Sequence, residues 1–233
     1  VSQYIEDGDR SIDRLPIDLD VDQLLTTTRS VRLRLDLERP VDLALIDECL
    51  TIALQAPNGS GRELWRFVVV ADPSQRARVG ALYRRSSMAY LDQLRREHPD
   101  LDETTRAFRS SQRLWEHLGD VPVHVVPCIE REPWHLTSTQ RAYVDASVYG
   151  TIFPATWSFQ LACRSRGLGT CFVTSLLKHD DELRDILGLP HEFAIGGLVA
   201  VAHTSGSFAP ARRRPLADVR RFDRWTAADD QSS

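Results

Sequence analysis

Lysine is almost missing from this 233-residue chain: of 29 basic residues only Lys178 is lysine, and the rest are arginine. Arginine-biased codon usage accounts for that. Its physical consequence is that any anion held here meets a planar guanidinium fork rather than an ammonium. The formal charge of −4 argues against nucleic acid as the main partner, because that needs a concentrated basic surface. No apolar run approaches the roughly 18 residues of a membrane span, so no membrane partner is expected. The first seven residues carry neither the basic start nor the apolar stretch of a secretory signal, and a cytoplasmic location is expected. Without such a signal, Asn58-Gly59-Ser60 is a chance match to a glycosylation acceptor. Cysteine is scarce and unpaired in pattern. Cys49, Cys128, Cys163 and Cys171 form no CxxC and fall on apolar stretches, which reads as buried reduced thiols. The histidines show no HxxxH and no cysteine at ligand spacing, so no metal site is expected. The nucleophile-elbow GxSxG and the phosphate-loop GxxxxGK[ST] are both absent, which disfavours those two chemistries.

What remains is an ordinary globular composition, 42% hydrophobic and 27% charged, enough for one sizeable core. Residues 1–20 are polar and acidic and read as a lead-in. Residues 21–206 carry the alternating helix and strand patterns of one domain. Residues 207–233 have no core pattern of their own and read as an arm. Helical spacing covers 21–28 and a stretch opened by Pro40 and stopped by Pro57. It resumes over 74–118, with a break near His98-Pro99-Asp100, and over 140–166, where Pro154 predicts a kink. Gly167 reads as the cap of that last helix, and 180–187 as a short helix capped at His179-Asp180-Asp181. Short apolar runs at 65–71, 121–129 and 193–202 read as three inner strands, with Trp65 a core anchor. The fold class is α+β.

Three segments carry the chemistry. Thr28-Arg29-Ser30-Val31-Arg32 offers a hydroxyl between two guanidinium groups, able to give charge-assisted hydrogen bonds of about 1.5–3 kcal/mol each. By residue type alone it equally suits a solvated basic loop at a helix end. Ala56-Pro57-Asn58-Gly59-Ser60-Gly61-Arg62-Glu63-Leu64-Trp65 is a glycine-rich turn where backbone can approach a flat ring without a side chain colliding. Gly167-Leu168-Gly169-Thr170 follows a helix rather than a strand, so it is no dinucleotide fingerprint. Alone, it also suits a plain helix stop.

In order and spacing these segments resemble the FMN-dependent nitroreductase family over residues 21–225. The resemblance implies a nitroreductase-like central mixed sheet flanked by helices, and a homodimer with FMN at the subunit interface. It also implies a C-terminal arm embracing the partner subunit. Arg29, Ser30 and Arg32 match the family's anion and ring-edge segment, where Thr28 replaces a usual arginine. Arg213, two residues before Pro215, matches an arginine that contacts the FMN phosphate. Pro57, Asn58, Gly59 and Gly61 match the ring-side turn, with Gly61 in place of an asparagine and Glu63 in place of a glutamine. Trp157-Ser158 stands where a Gln-Asn pair is usual. Phe172, Val173 and Thr174 match the stretch that passes the ring. The implied activity is ping-pong hydride transfer from NADH or NADPH to a small-molecule acceptor: a nitroaromatic, quinone or activated alkene. No side chain serves as nucleophile, and Arg32 stabilises charge at N1–O2. The departures at Thr28, Gly61 and Glu63 leave a second reading, a flavin- or ligand-binding protein of the same fold with little turnover.

Overall fold

A computed structural model describes residues 19–131, 138–205 and 208–225. Five strands form one sheet: β1 (Trp65–Val70), β2 (Val123–Glu130), β3 (Leu168–Val173), β4 (Phe193–Ile195) and β5 (Leu198–His203). The spatial order is β1-β2-β5-β3, and β4 pairs with the far end of β2. All four ladders are antiparallel. Among the described residues the parallel contribution is the isolated bridge between Ser30 and Thr170, beside an antiparallel bridge between Leu35 and Thr204. The first lays the segment after α1 (Val21–Thr27) along the open edge of β3, and the second ties it to the residue that follows β5.

Successive strand residues point to opposite faces, and the core divides accordingly. On one face Val126, Cys128, Cys171, Val173, Leu198, Ala200 and Ala202 pack against α3 (Pro73–Glu97), α4 (Arg106–His117) and α6 (Asp180–Leu187). On the other, Val123, Val125, Leu168, Val199 and Val201 pack against α2 (Leu43–Ala53) and α5 (Ser138–Ser165). Trp65 is buried as a core anchor in a third cluster with Ile129 and Ile152. All four cysteines are free and buried. Among the described residues, no helix is long and apolar enough to cross a membrane.

Several boundaries differ from the sequence expectation. Pro40 lies outside α2, which starts at Leu43 with Asp42 as its cap, the carboxylate accepting from the Ala44 N–H at 3.0 Å. The expected cap at His179-Asp180-Asp181 makes no side-chain capping bond. Asp180 instead accepts from Arg184 Nε at 2.6 Å. Helix α5 runs through Pro154 as one element. The expected loop at 131–139 falls mostly outside the described residues.

The segment after Gly167 (φ +76°) turns straight into β3, a strand the hydrophobic pattern does not announce. The run at 193–202 is two strands, β4 and β5, divided at Gly196-Gly197. That break lies opposite Pro127 inside β2. Proline has no N–H to give a ladder, and its carbonyl accepts from Gly196 N at 2.8 Å.

Helix α4 begins with a side-chain cap: Thr105 Oγ1 accepts from the Phe108 N–H at 3.2 Å. A Thr105→Ala variant should therefore lose about 1 kcal/mol of unfolding free energy, the usual worth of such a cap. Urea denaturation measures it, and an unchanged midpoint would remove the cap from the account. The C-terminal region adds a last turn, α7 (Leu216–Val219), whose Leu216 and Val219 are exposed together with Phe222 and Trp225.

Candidate functional site

The structure gathers the basic segment into a cavity at the edge of β3. The Val31 N–H donates to the Thr170 carbonyl at 2.7 Å, which fixes the direction of the neighbouring side chains. Arg29, Ser30, Arg32 and Arg34 line the cavity with Arg106 and Ser110 of α4 and with Phe208 and Ala209, around 330 Å³. Among the described residues, no acidic side chain lines it. Like charges this close repel unless an anion sits among them, so the site is built for negative charge.

The wall opposite β3 is pinned by the C-terminal segment. Arg34 and Arg164 place their guanidinium carbons over the Phe208 ring at 5.4 and 4.7 Å, and Arg29 donates to the Ala209 carbonyl. Two such cation–π contacts hold the ring without needing a hydrogen bond. Arg29 Nε is buried and has no hydrogen-bond partner. An unsatisfied charged donor in the wall of a cationic cavity is a group waiting for an acceptor.

Behind the cavity, burial raises the Cys171 thiol above its usual range, while Arg32 and Ser30 beside it pull the other way. Tyr83 faces the same place and is pushed up to about 12, chiefly by burial. Both groups stay neutral at physiological pH, so Arg32 keeps its positive charge uncancelled from behind.

The glycine-rich turn lines a second, smaller cavity of 140 Å³ with α5, including Gly59, Glu63, Tyr143 and Thr151. Gly59 N–H donates to Thr151 Oγ1 at 3.2 Å, and Asn58 Oδ1 accepts from the Glu63 N–H at 3.3 Å. Gly61 (φ +63°) and Glu63 (φ +50°) both adopt the left-handed backbone, which is uncommon for a side-chain-bearing residue. Pro57 and Gly61 are exposed. Of the ring-side stretch, Val173 is buried, Thr174 is exposed, and Phe172 packs edge-on to Phe153 with ring centroids 5.9 Å apart. Phe153 in turn stacks on Tyr149 at 5.3 Å. One aromatic row thus links β3 to the helix that holds the glycine-rich turn.

Within one chain, then, Arg29, Ser30 and Arg32 converge on one cavity and the glycine-rich turn on another. Arg213 is exposed and is not in the wall of the arginine cavity. Sequence reasoning missed Arg106, Ser110, Phe208 and Ala209, which reach the cavity only through tertiary structure. In a chain this rich in arginine, nothing in the sequence marks Arg106. Among the described residues, no three His, Cys, Asp or Glu side chains come together as a metal-ligand set.

The model of the Nitroreductase family matches residues 25–203. An NADH dehydrogenase of Thermus thermophilus is 30% identical over 189 residues, 77% of this chain and 85% of that protein. Iodotyrosine deiodinase of Drosophila melanogaster is 24% identical over 169 residues, covering 72% of this chain and 56% of the fly protein. Among solved structures, a Desulfovibrio desulfuricans protein in complex with FMN superposes with a TM-score of 0.63 at 18% identity. That match covers 90% of this chain and 100% of the other. The family match over residues 25–203 and the 30% identical Thermus relative lead to one conclusion: the chain belongs to the Nitroreductase family.

Proposed function

We propose that the protein is an FMN-dependent oxidoreductase of nitroreductase type. The observation that carries this reading is the cavity at the edge of β3, lined by Arg29, Ser30 and Arg32 and, among the described residues, free of acidic side chains. Its residues fit a phosphate-bearing cofactor: the donors are guanidinium and hydroxyl groups, and Arg29 Nε is still without an acceptor. Bound there, FMN would supply hydride transfer through N5, from NADH or NADPH to a nitroaromatic, quinone or activated alkene.

The chain's own residues bind and orient. Arg29 and Ser30 hold the phosphate end by charge-assisted hydrogen bonds. Arg32 keeps a fixed positive charge at the N1–O2 edge, where preorganised electrostatics favour the reduced form. Phe172, Val173 and Thr174 would flank the flavin ring. The turn formed by Pro57, Asn58, Gly59 and Gly61 brings backbone close to it. Arg213, four residues beyond Ala209 on the C-terminal segment and outside the cavity wall, would add its charge to the phosphate end only from a distance. The protein works as a homodimer, with the exposed Leu216, Val219, Phe222 and Trp225 covered by the partner subunit, since such an apolar row marks an interface.

The visible absorbance spectrum of the purified protein, with the released chromophore identified by mass, tests the cofactor. A yellow protein carrying FMN is expected; a colourless one that also refuses added FMN overturns the reading. Steady-state oxidation of NADH or NADPH with a quinone tests the reaction. One pocket used in turn gives parallel double-reciprocal lines, and intersecting lines would exclude it. An iodinated phenol belongs in the acceptor panel because of the relationship to the deiodinase.

A further inference from the structure

We propose that Arg106 and Ser110 of α4 form the third wall of an anion site, and that Arg106 makes this site select a phosphate-bearing flavin over a neutral one. The proposal rests on the FMN reading above and deepens it. Arg106 and Ser110 are four residues apart, so they occupy one face of the helix, and both line the arginine cavity. The other walls come from the Arg29–Arg34 segment and from Phe208-Ala209. Two separate stretches of chain therefore bring cations and hydroxyls to one 330 Å³ space, closed by Phe208-Ala209, and among the described residues no acidic side chain lines it.

The position of Arg106 sharpens the argument. It is the first residue of α4, so the positive end of the helix dipole adds to its own charge. Thr105 caps that end with its hydroxyl, which fixes where the helix begins and hence where Arg106 sits. A monoester phosphate is a dianion with three terminal oxygens. Arg29 on one side and Arg106 on the other can share those oxygens, with Ser110 as a neutral donor. A neutral flavin lacking the phosphate leaves Arg106 nothing to bind, so the residue acts on selectivity rather than on ring binding. The residue is exposed, and its replacement removes no core packing.

Flavin fluorescence quenching tests this on the apoprotein, with FMN and riboflavin titrated against wild type, Arg106→Gln and Ser110→Ala. Loss of one charge-assisted contact should weaken FMN binding by Arg106→Gln at least about tenfold, with riboflavin unchanged within about twofold. Ser110→Ala should show the same pattern at a smaller size. In parallel, inorganic phosphate should raise the melting temperature of wild-type apoprotein above that in chloride of equal ionic strength. That protection should shrink in Arg106→Gln. If FMN binds the variant as it binds wild type, the α4 wall is wrong while the FMN reading stands. Equal weakening of FMN and riboflavin makes Arg106 a structural residue and also overturns the proposal. If wild type takes up no FMN yet shows Arg106-dependent phosphate protection, the FMN reading falls and the anion site stands. No FMN binding and no phosphate protection removes both.

Discussion

Replacing Gly197 with alanine is expected to lower the unfolding free energy by about 4 kcal/mol and to weaken flavin binding at the same time. Gly197 holds φ at +147°, where any side chain is strained. A Cβ there would lie 2.6 and 2.7 Å from the edge of the Phe172 ring and 2.9 Å from the Val173 carbonyl oxygen. Neither neighbour can retreat cheaply. Val173 is paired to Leu198 in the β3–β5 ladder, and the Phe172 ring is backed by Phe153. Backbone strain of about 1–3 kcal/mol and overpacking of about 1–3 kcal/mol therefore add, because both arise at one Cβ with no shared escape. Gly196 is the control. Its Cβ would meet nothing closer than 3.3 Å, so Gly196→Ala should cost distinctly less. Urea denaturation of both variants, with FMN titration of each, separates the two positions. Equal stability of Gly197→Ala and wild type would mean that the ring and β3 yield, and that the close approach is not what holds Phe172 in place.

Contacts made across the sheet decide which parts of the fold were legible in the sequence and which were not. Strands β2 and β5 announce themselves because both of their faces are buried, so the apolar run is nearly continuous, and β1 is marked by its Phe67–Val70 run. Strand β3 hides because Gly167 stands directly before it, so its start reads Gly167-Leu168-Gly169 and looks like a turn. It is a strand because Gly169 leaves room for Thr204, whose Cβ would lie 2.9 Å from an added Cβ. That requirement belongs to the neighbour and not to the local pattern. The division of 193–202 into β4 and β5 is likewise set across the sheet by Pro127, which no window over 193–202 contains. Helix α2 begins later than Pro40 because a side-chain cap at Asp42 outweighs a proline that merely tolerates a helix start. At the site, Arg29, Ser30 and Arg32 were readable since they are adjacent in sequence and share one loop. Arg106 and Ser110 lie more than seventy residues away and reach the cavity through the packing of α4 on α3. Arg213 was placed by resemblance alone, and its guanidinium stays exposed on the C-terminal segment.

The second large effect concerns acid. His124 points from β2 into the helical layer of α3 and is fully buried. Its Nε2 lies 2.8 Å from the Leu118 carbonyl, and Nδ1 is buried without a partner. Burial, chiefly, pushes its pKa down from 6.5 to about 4, and nearby Arg76 adds to the shift. The folded protein thus holds the neutral ring, with Nε2–H donating to Leu118, while the unfolded chain takes up a proton near 6.5. Between those values the unfolded state binds more protons, so the stability present above 6.5 is lost as pH falls toward 4. The depression is about 2.5 units at about 1.4 kcal/mol each, or about 3 kcal/mol for the group. A His124→Gln variant keeps an amide N–H for Leu118 and cannot titrate. Exposed carboxylates such as Asp36 and Asp102, held below 3.8 by hydrogen bonds from their own turns, titrate in both proteins and cancel in the comparison. Urea midpoints at about pH 7, 5.5 and 4 should therefore diverge, wild type losing about 3 kcal/mol more than the variant. Parallel curves would mean that the ring accepts a proton inside the fold, and that Nδ1 reaches a partner the closed layer does not provide.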